Sequence, residues 1–224
     1  MQVVLGSEAA SIAKAGTPVT THDGRLHAGR RYCDNAAMAF TPPKPLRPAL
    51  FLDRDGVINV NHGYVHRAED TQLVPGIVGL CLRARALGYA LVVVTNQAGI
   101  ARGYYSEDDY HAYSAWLRGH LASHGVLLDG IYHCPHHPDA GTGPWRRDCA
   151  CRKPGPGMIL TAARDLALDL PRSILLGDTP GDIEAGRRAG VGRLWMLVPD
   201  PATVLVPEGA YPLQHLAAAA AALA

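Results

Sequence analysis

The sequence predicts an α/β fold, a Rossmann-like parallel sheet with helices on both faces. From residue 49 onward, continuous apolar runs alternate with amphipathic segments, a pattern typical of buried parallel strands connected by helices. Polar residues follow three of the apolar runs, at 52–55, 95–97 and 177–182. Ligands of such sheets bind beyond the carboxyl ends of the strands, so we expect the functional site there.

The first half of this region contains three predicted strands and two predicted helices. Ser106 is the expected N-cap of the second helix, because acidic residues fill the first turn after it. The predicted strands cover residues 49–53, 89–96 and 128–134, and the predicted helices cover 76–88 and 106–125.

The second half continues the alternation after a loop rich in cysteine and histidine. We predict helices at 155–170 and 181–190 and strands at 173–178 and 193–197, followed by a closing alanine-rich helix at 212–224. The segments between the polar strand ends are too short for a second domain. The sequence therefore predicts no separate cap domain over the sheet.

Residues 1–45 do not share this periodicity and end in the proline-rich stretch TPPKPLRP. We interpret them as an amino-terminal extension or linker that is poorly ordered. The predicted folded domain then covers residues 46–224.

Composition excludes several partners. The chain has 21 Lys and Arg against 20 Asp and Glu, so nothing in its net charge attracts nucleic acid or an anionic membrane. No apolar run is long enough for a membrane span. The amino terminus lacks the basic stretch of a secretory signal, and an odd number of cysteines, five, does not suit a disulfide framework. We therefore expect a cytoplasmic protein.

The stretch ALFLDRDGVIN places Asp53 and Asp55 directly after the first predicted strand. Two carboxylates this close need a cation or a shared proton. An EF-hand is excluded, because Ile58 and Tyr64 occupy the positions that require glycine and glutamate. An ordinary Asp-Gly turn remains the alternative for this motif taken alone.

Asp178 ends a later strand and completes an oxygen-rich set with Asp53 and Asp55 that suits Mg²⁺. Asp182, four residues on, is as consistent with an ordinary acid in the first turn of a helix as with a functional group. Near such a site, Lys153 would neutralise a transferring phosphoryl group, although it could equally be a solvated surface charge. Hydroxyl and amide groups at the second strand end, from Thr95 and Asn96, are suitable donors to phosphoryl oxygens.

The Cys/His loop contains CPHH at 134–137 and CAC at 149–151. Three thiolates and one imidazole, from Cys134, His136, Cys149 and Cys151, would complete a closed tetrahedral shell for a structural Zn²⁺. His133 and His137 are alternatives to His136, and incidental thiols remain the competing interpretation. The isolated Cys33 and Cys81 are interpreted as ordinary small side chains.

Taken together, the motifs resemble the haloacid dehalogenase-like phosphatases, and within them the heptose bisphosphate phosphatase branch. The matching stretches are FLDRDGVINVNHGYVH, LVVVTNQAGIARG, DGIYHCPHHP, CACRKPGPGM and GD, which occur in this order between about residues 48 and 200. Histidinol-phosphate phosphatases share this plan and are the alternative. A non-catalytic zinc-loop module that binds nucleic acid is disfavoured by the balanced charge.

The resemblance implies a Mg²⁺-dependent phosphatase that removes the 7-phosphate of a heptose bisphosphate, supplying heptose for lipopolysaccharide or other surface glycans. Asp53 would be the nucleophile and Asp55 the general acid and base. Mg²⁺ would bind the side chains of Asp53 and Asp178 and the backbone carbonyl of Asp55. Thr95, Asn96 and Lys153 would hold the phosphoryl oxygens. Contacts to the rest of the sugar bisphosphate would come from Asn61, His62, Gly63, Tyr64, Gln97, Arg102 and Arg152. The enzyme would act as a monomer with no macromolecular partner.

The chain departs from the family pattern at two positions. Asn61 stands where these phosphatases often have aspartate, and Thr179 stands where a lysine often follows the metal-binding aspartate. Residues 1–45 have no counterpart in the family. These departures leave the catalytic roles in place and bear on the identity of the sugar.

Overall fold

The computed structural model describes residues 45–141, 143–198, 200 and 204–223. Except for Pro45, the extension predicted for residues 1–45 lies outside the described residues. The described chain contains a parallel sheet of six strands with helices on both faces, which confirms the predicted fold class.

The elements follow the alternating order that the sequence predicts, apart from one additional helix after the second strand and one additional strand after the fifth. The strands are β1 (Ala49–Leu52), β2 (Ala90–Asn96), β3 (Gly130–Cys134), β4 (Ile174–Gly177), β5 (Arg193–Leu197) and β6 (Ala210–Leu213). The helices are α1 (Ile77–Ala86), α2 (Ala98–Arg102), α3 (Glu107–Ser123), α4 (Gly157–Leu166), α5 (Pro180–Ala189) and α6 (Leu216–Ala222). Single 3₁₀ turns occur at Gly143–Trp145 and Leu170–Arg172.

The strand order is β3-β2-β1-β4-β5-β6, and every neighbouring pair is parallel. The chain builds the sheet outward from β1 to β3, then returns to the other side of β1 with β4. The direction of winding therefore reverses between β1 and β4, where a crevice forms beyond the carboxyl ends of the strands.

Alternate side chains of the strands pack into two separate cores. Leu50 and Leu52 face the core formed with α1, α3 and α6. Ala49 and Phe51 face the opposite core, formed with α4 and α5. Because both faces are covered, both sets of side chains must be apolar, which explains the continuous apolar runs in the sequence.

Two predicted helices need correction, and one helix was not predicted. The closing helix was predicted from residue 212, but Ala210–Leu213 forms the edge strand β6 and the helix covers only Leu216–Ala222. Pro212 is tolerated there because an edge strand leaves one side of its backbone unpaired. The helix predicted to residue 170 ends at Leu166, followed by Ala167 in the left-handed region with φ 53°. The five-residue helix α2 was not predicted.

Ser106 caps α3 as predicted. Its side chain accepts a hydrogen bond from the Asp109 backbone N–H, while Asp109 Oδ2 accepts one from the Ser106 backbone N–H. This capping box satisfies two of the free N–H groups at the start of the helix.

Between β1 and β2 the chain forms one helix, α1, so the carboxyl edge of the sheet has no added domain in this segment. None of the helices in the described part of the chain has the length and apolar character needed to cross a membrane.

Candidate active site

Polar side chains from three strands converge at the carboxyl edge of the sheet. Asp53 follows β1, Thr95 lies near the end of β2 and Asp178 follows β4. They line a cavity of about 310 Å³ whose other walls come from the loops after β1 and β2 and from the start of α5. The lining residues that matter below are Asp55, Asn61, Gly63, Tyr64, Asn96, Gln97, Tyr105, Arg152, Lys153 and Asp182.

At the base of this cavity, Lys153 lies between two carboxylates. Its Nζ is 2.7 Å from Asp53 Oδ1 and 2.5 Å from Asp182 Oδ1, and it also donates to the backbone carbonyl of Val94 at 2.9 Å. All three charged groups are buried. The three ammonium protons are thereby directed to three acceptors, and the lysine is held in one position.

One lysine cannot neutralise all the carboxylates around it. Oxygen atoms of Asp53, Asp178 and Asp182 lie within 4.8 Å of one another. Three carboxylates and one ammonium leave two negative charges when every group is ionised. A divalent cation would compensate this excess.

The same crowding raises the pKa values of the acids. Burial, partly offset by Lys153 and reinforced by the neighbouring carboxylates, raises the pKa of Asp53 to about 7. Burial and the charge of Asp182 raise the pKa of Asp178 to about 6. Burial alone would lower the pKa of Lys153, but Asp53 and Asp182 outweigh it and raise that pKa, so the lysine stays charged. Without a cation, Asp53, and to a smaller extent Asp178, therefore retain protons near neutral pH.

Asp178 carries the clearest sign that a cation belongs here. Its Oδ1 is buried and has no hydrogen-bond partner. Gly56 gives the carboxylate room, because a Cβ there would lie 2.0 Å from Asp178 Oδ2, and its φ of 90° also favours glycine. An unpartnered carboxylate oxygen is costly in a buried position unless it binds a cation. The residues present therefore fit Mg²⁺, a hard cation that binds oxygen ligands.

Asp182 is both an acid in the first turn of a helix and a functional group, the two roles that its sequence position allows. Thr179 caps α5, and Asp182 Oδ2 accepts hydrogen bonds from the Thr179 backbone N–H at 3.0 Å and its hydroxyl at 2.6 Å. The other oxygen of Asp182 contacts Lys153. Asp182 is thus an acid in the first turn of a helix and also part of the charged cluster. Thr179, the departure from the family pattern, forms the cap that holds it.

Asp55 points away from this cluster toward Arg54. The Arg54 guanidinium contacts both oxygens, with Nη2 at 3.0 Å from Oδ1 and 2.8 Å from Oδ2. Asn59 Nδ2 donates to Oδ1 at 3.0 Å, and Gln97 Nε2 donates to Oδ2 at 3.2 Å. The Asp55 side chain is 18% exposed, so it reaches the cavity while its orientation is set by buried neighbours.

Arg54 is the residue that the sequence interpretation missed. Its side chain is only 1% exposed, donates to the Val65 carbonyl at 2.7 Å and lies 5.0 Å from the centre of the Tyr113 ring. Burial alone would lower the pKa of Arg54, but Asp55 outweighs it and raises that pKa, so the guanidinium stays charged. The position of this arginine between Asp53 and Asp55 in the sequence could have indicated its contact with a functional carboxylate.

A second set of hydrogen bonds connects Asp55 to residues at the end of β2 and after α2. Tyr105 Oη donates to Gln97 Oε1 at 2.6 Å, and Gln97 Nε2 donates to Thr95 Oγ1 at 2.7 Å as well as to Asp55. Gln97 is buried, although it was predicted to contact substrate. The structure shows that its amide is already engaged by protein groups that orient Asp55 and Thr95.

Asn96, predicted to bind phosphoryl oxygens, lines the cavity, and its side chain contacts the backbone of Lys153. Its Oδ1 accepts from the Lys153 backbone N–H at 3.0 Å, and its Nδ2 donates to the Lys153 carbonyl at 3.1 Å. This pair of hydrogen bonds holds the backbone of Lys153 at the end of β2. Asn96 therefore positions the lysine whose ammonium enters the charged cluster.

Four of the remaining predicted substrate contacts line the cavity, and two do not. Asn61, Gly63, Tyr64 and Arg152 are among the lining residues. His62 lines a separate, more open depression beside the same loop. The Arg102 guanidinium lies 3.3 Å from His137 Nε2 on the exposed surface and does not line the cavity.

The four predicted zinc ligands come together in the loop after β3. The distances from Cys134 Sγ are 3.5 Å to Cys149 Sγ, 3.3 Å to Cys151 Sγ and 3.6 Å to His136 Nδ1. Ligands at tetrahedral angles around zinc lie about 3.5–3.8 Å apart for these bond lengths. Hydrogen bonding between Cys151 and Cys134, with further contributions from Cys149 and His136, lowers the pKa of the Cys151 thiol to about 5, so a thiolate is available. The donor set and its spacing fit a structural Zn²⁺.

The predicted zinc loop is joined directly to the charged cluster. Cys151, Arg152 and Lys153 are consecutive, and Arg152 Nη1 donates to the His136 carbonyl at 3.1 Å. A loop fixed at Cys151 therefore limits where Arg152 and Lys153 can be. His137 is not among the four ligands, and its Nδ1 accepts from backbone N–H groups of residues 139 and 140.

Comparison with known proteins agrees with this geometry. A family model described as HAD-hydrolase-like matches residues 150–223. A D-glycero-beta-D-manno-heptose-1,7-bisphosphate 7-phosphatase of Photorhabdus laumondii is 48% identical over 145 residues, which cover 65% of this chain and 77% of that protein. A D-glycero-alpha-D-manno-heptose-1,7-bisphosphate 7-phosphatase of Burkholderia mallei is 54% identical over 144 residues, which cover 64% and 76%.

A solved structure shows the same fold with ligands. The D,D-heptose 1,7-bisphosphate phosphatase of B. bronchiseptica, complexed with magnesium and phosphate, superposes with a TM-score of 0.68 at 33% identity and covers 79% of this chain and 97% of that one. The chain belongs to the haloacid dehalogenase-like phosphatases, in the family of the heptose-1,7-bisphosphate 7-phosphatases.

Proposed function

We propose that this enzyme removes the 7-phosphate of D-glycero-D-manno-heptose 1,7-bisphosphate through an aspartyl-phosphate on Asp53. The observation that carries the proposal is the cluster in which Lys153 bridges Asp53 and Asp182 beside the unpartnered oxygen of Asp178. It provides a nucleophile, a fixed cation and a place for Mg²⁺ in one cavity. The identity of the substrate is inferred from the relatives named above.

The reaction divides into two displacements at phosphorus. An oxygen of Asp53 attacks the 7-phosphoryl group, the bond from phosphorus to the sugar oxygen breaks, and Asp55 gives that oxygen a proton. Asp55 then takes a proton from water, whose oxygen attacks phosphorus and releases Asp53 and inorganic phosphate. Arg54, Asn59 and Gln97 hold Asp55 away from Asp53, which separates the acid from the nucleophile.

Mg²⁺ is the implied cofactor at the charged cluster. The side chains of Asp53 and Asp178 and the backbone carbonyl of Asp55 would hold it, since Asp182 is occupied by Lys153 and Thr179. When bound, it neutralises charge on the transferring phosphoryl group. Lys153 and the Thr95 hydroxyl would hold the phosphoryl oxygens, and Asn96 positions Lys153 through its backbone.

The second phosphate and the sugar are recognised at the rim of the cavity. Arg152 lines it and presents a guanidinium, which binds phosphate through two parallel hydrogen bonds. Asn61, Gly63 and Tyr64 form the facing wall. Tyr64 has a φ of 54°, which is rare for a residue with a side chain, so the turn holds its ring in an unusual position. Arg102 and His62 lie outside the cavity lining and are assigned no contact.

Structural Zn²⁺ in the Cys134–Cys151 loop is the second implied metal. Four protein ligands leave no open position, so the ion stabilises the loop and takes no part in hydrolysis. Residues 46–224 contribute every group named above, and we propose that they act as one catalytic domain in a monomer. Thiolate ligands require a reducing compartment, which favours the cytoplasm.

A substrate panel tests the proposed function. We expect Mg²⁺-dependent turnover of D-glycero-D-manno-heptose 1,7-bisphosphate, with a kcat/KM at least about 100-fold above that for histidinol phosphate. Both anomers are assayed by phosphate release, and Asp53→Asn serves as the inactive control. A higher kcat/KM for histidinol phosphate, or full activity of Asp53→Asn, would contradict the proposal.

Replacement of Asp178 by asparagine tests the metal assignment through stability. The pKa of Asp178 is raised from 3.8 in the unfolded chain to about 6, so the metal-free native state loses stability as pH rises through this interval. Asp178→Asn removes that loss. In metal-free protein at about pH 8 it should raise Tm by roughly 2–4 °C, while abolishing the Tm gain that Mg²⁺ gives wild type.

The matched control for this measurement is Asp165→Asn, which changes an exposed acid paired with Arg164. It should leave both Tm and the Mg²⁺ response close to wild type, because exposed ion pairs contribute little. An Asp178→Asn protein that is still stabilised by Mg²⁺ to the wild-type extent would show that the ion binds elsewhere.

Arg54→Lys tests whether Arg54 acts through Asp55. Lysine keeps the charge but cannot contact both carboxylate oxygens, so we expect kcat/KM for the heptose substrate to fall by about 10–100-fold. A good leaving group needs less protonation, so kcat/KM for p-nitrophenyl phosphate should fall much less. Equal losses with the two substrates, at an unchanged circular dichroism spectrum, would indicate a structural role only.

Cys149→Ser tests the zinc loop. Loss of one thiolate should remove most of the bound zinc, lower Tm and raise KM for the bisphosphate, because Arg152 and Lys153 follow the loop. Cys81→Ser, at a buried cysteine outside the loop, is the control and should keep its zinc. Retention of zinc and of wild-type Tm by Cys149→Ser would refute the assignment.

A further inference from the structure

A third group of metal-ligating side chains lies outside both sites described above. Glu107 is in the first turn of α3, His111 is one turn later on the same helix, and His133 is in β3. Their ligand atoms lie within 4.8 Å of one another. None of the three residues lines the catalytic cavity or belongs to the Cys/His cluster.

His133 is adjacent in sequence to Cys134, but the two side chains face opposite sides of the sheet. Successive residues of a strand alternate between faces. Cys134 belongs to the core formed with α4 and α5, whereas the His133 ring packs on Tyr110 of α3, with ring centres 4.1 Å apart. His133 is therefore directed away from the Cys/His cluster and toward α3.

The spacing of the group suits a small cation. His133 Nε2 lies 3.3 Å from Glu107 Oε1, and two ligands at the tetrahedral angle around zinc lie about 3.4 Å apart. The 3.3 Å between His133 Nε2 and Glu107 Oε1 is longer than a strong charge-assisted hydrogen bond, which is about 2.7–2.9 Å. His111 stands at position i+4 from Glu107, so both project from one face of α3, and its ring is nearly perpendicular to that of His133 at 5.5 Å.

Burial divides the group into a fixed part and an open part. His133 is held between the sheet and α3, with its side chain 16% exposed, while Glu107 is 37% exposed and His111 is exposed. A fixed imidazole with two outer ligands leaves a path from solvent to the centre of the group. The exposed His111 ring can close the remaining distance by rotation about its own side-chain bonds.

We propose that Glu107, His111 and His133 form a surface site for a divalent first-row transition metal ion such as Zn²⁺, with water as the remaining ligand. Two imidazoles and one carboxylate favour this class of ion over Mg²⁺, which prefers oxygen ligands. Because the ligands come from α3 and from the edge strand β3, a bound ion joins the helix to the sheet and stabilises the fold.

Titration with Co²⁺ of the full-length protein tests the proposal. The Cys/His cluster is first loaded with one equivalent of Zn²⁺, and excess Mg²⁺ keeps the catalytic cluster filled. We expect one further equivalent of Co²⁺ to bind with visible d–d bands and without the intense thiolate-to-cobalt band, since this site has no sulfur ligand. Zn²⁺ added afterwards should displace the cobalt and raise Tm.

Two exposed ligands serve as the variants, so folding is not at risk. His111→Ala and Glu107→Gln should each weaken Co²⁺ binding by at least tenfold and leave phosphatase activity at the wild-type value. His124→Ala is the matched control, an exposed histidine at the C-cap of α3 whose ring lies 5.1 Å from that of His120. Absence of cobalt binding to the zinc-loaded protein, wild-type affinity in His111→Ala, or loss of binding in His124→Ala would each overturn the proposal.

Discussion

The contact of Lys153 with Asp53 and Asp182 is the interaction on which the rest of the site depends. A buried ammonium between two buried carboxylates satisfies all three groups, and removal of any one would leave an unpaired charge. The third carboxylate, Asp178, turns this balanced arrangement into one with excess negative charge. Burial, reinforced by the neighbouring carboxylates, raises the pKa values of Asp53 and Asp178, and the excess charge gives the site its need for a divalent cation.

Several distant parts of the chain serve this one contact. The Asn96 amide holds the backbone of Lys153. The Cys/His loop restrains Cys151 and Arg152, the two residues that precede Lys153. Gly177 admits the Asp182 side chain, because a Cβ there would lie 2.2 Å from the Cβ of Asp182. Asp55 is kept apart by Arg54, so neighbouring carboxylates in one short motif have different electrostatic surroundings. The division between nucleophile and general acid follows from those surroundings.

The sequence predicts the parts of the structure that local pattern determines. Apolar runs and their polar ends locate β1, β2 and β4, and therefore the placement of Asp53, Thr95 and Asp178. Contacts between distant residues are less accessible: Lys153 and Asp53 are 100 positions apart, and no local pattern predicts their ion pair. For the same reason the sequence does not predict which groups the Asn96 and Gln97 amides contact, since a side chain at a strand end can bind protein or substrate. The edge strand β6 was missed because proline and a following alanine run favour other structures.

Proton release on Mg²⁺ binding tests the central claim most directly. If the carboxylate excess holds protons until a cation enters, calorimetric titration at about pH 6.5 in buffers of different ionisation enthalpy should show protons released with Mg²⁺. The release should decline toward zero at about pH 8.5, where Asp53 and Asp178 are already ionised. Binding heats at about pH 6.5 that do not depend on the buffer would contradict the account.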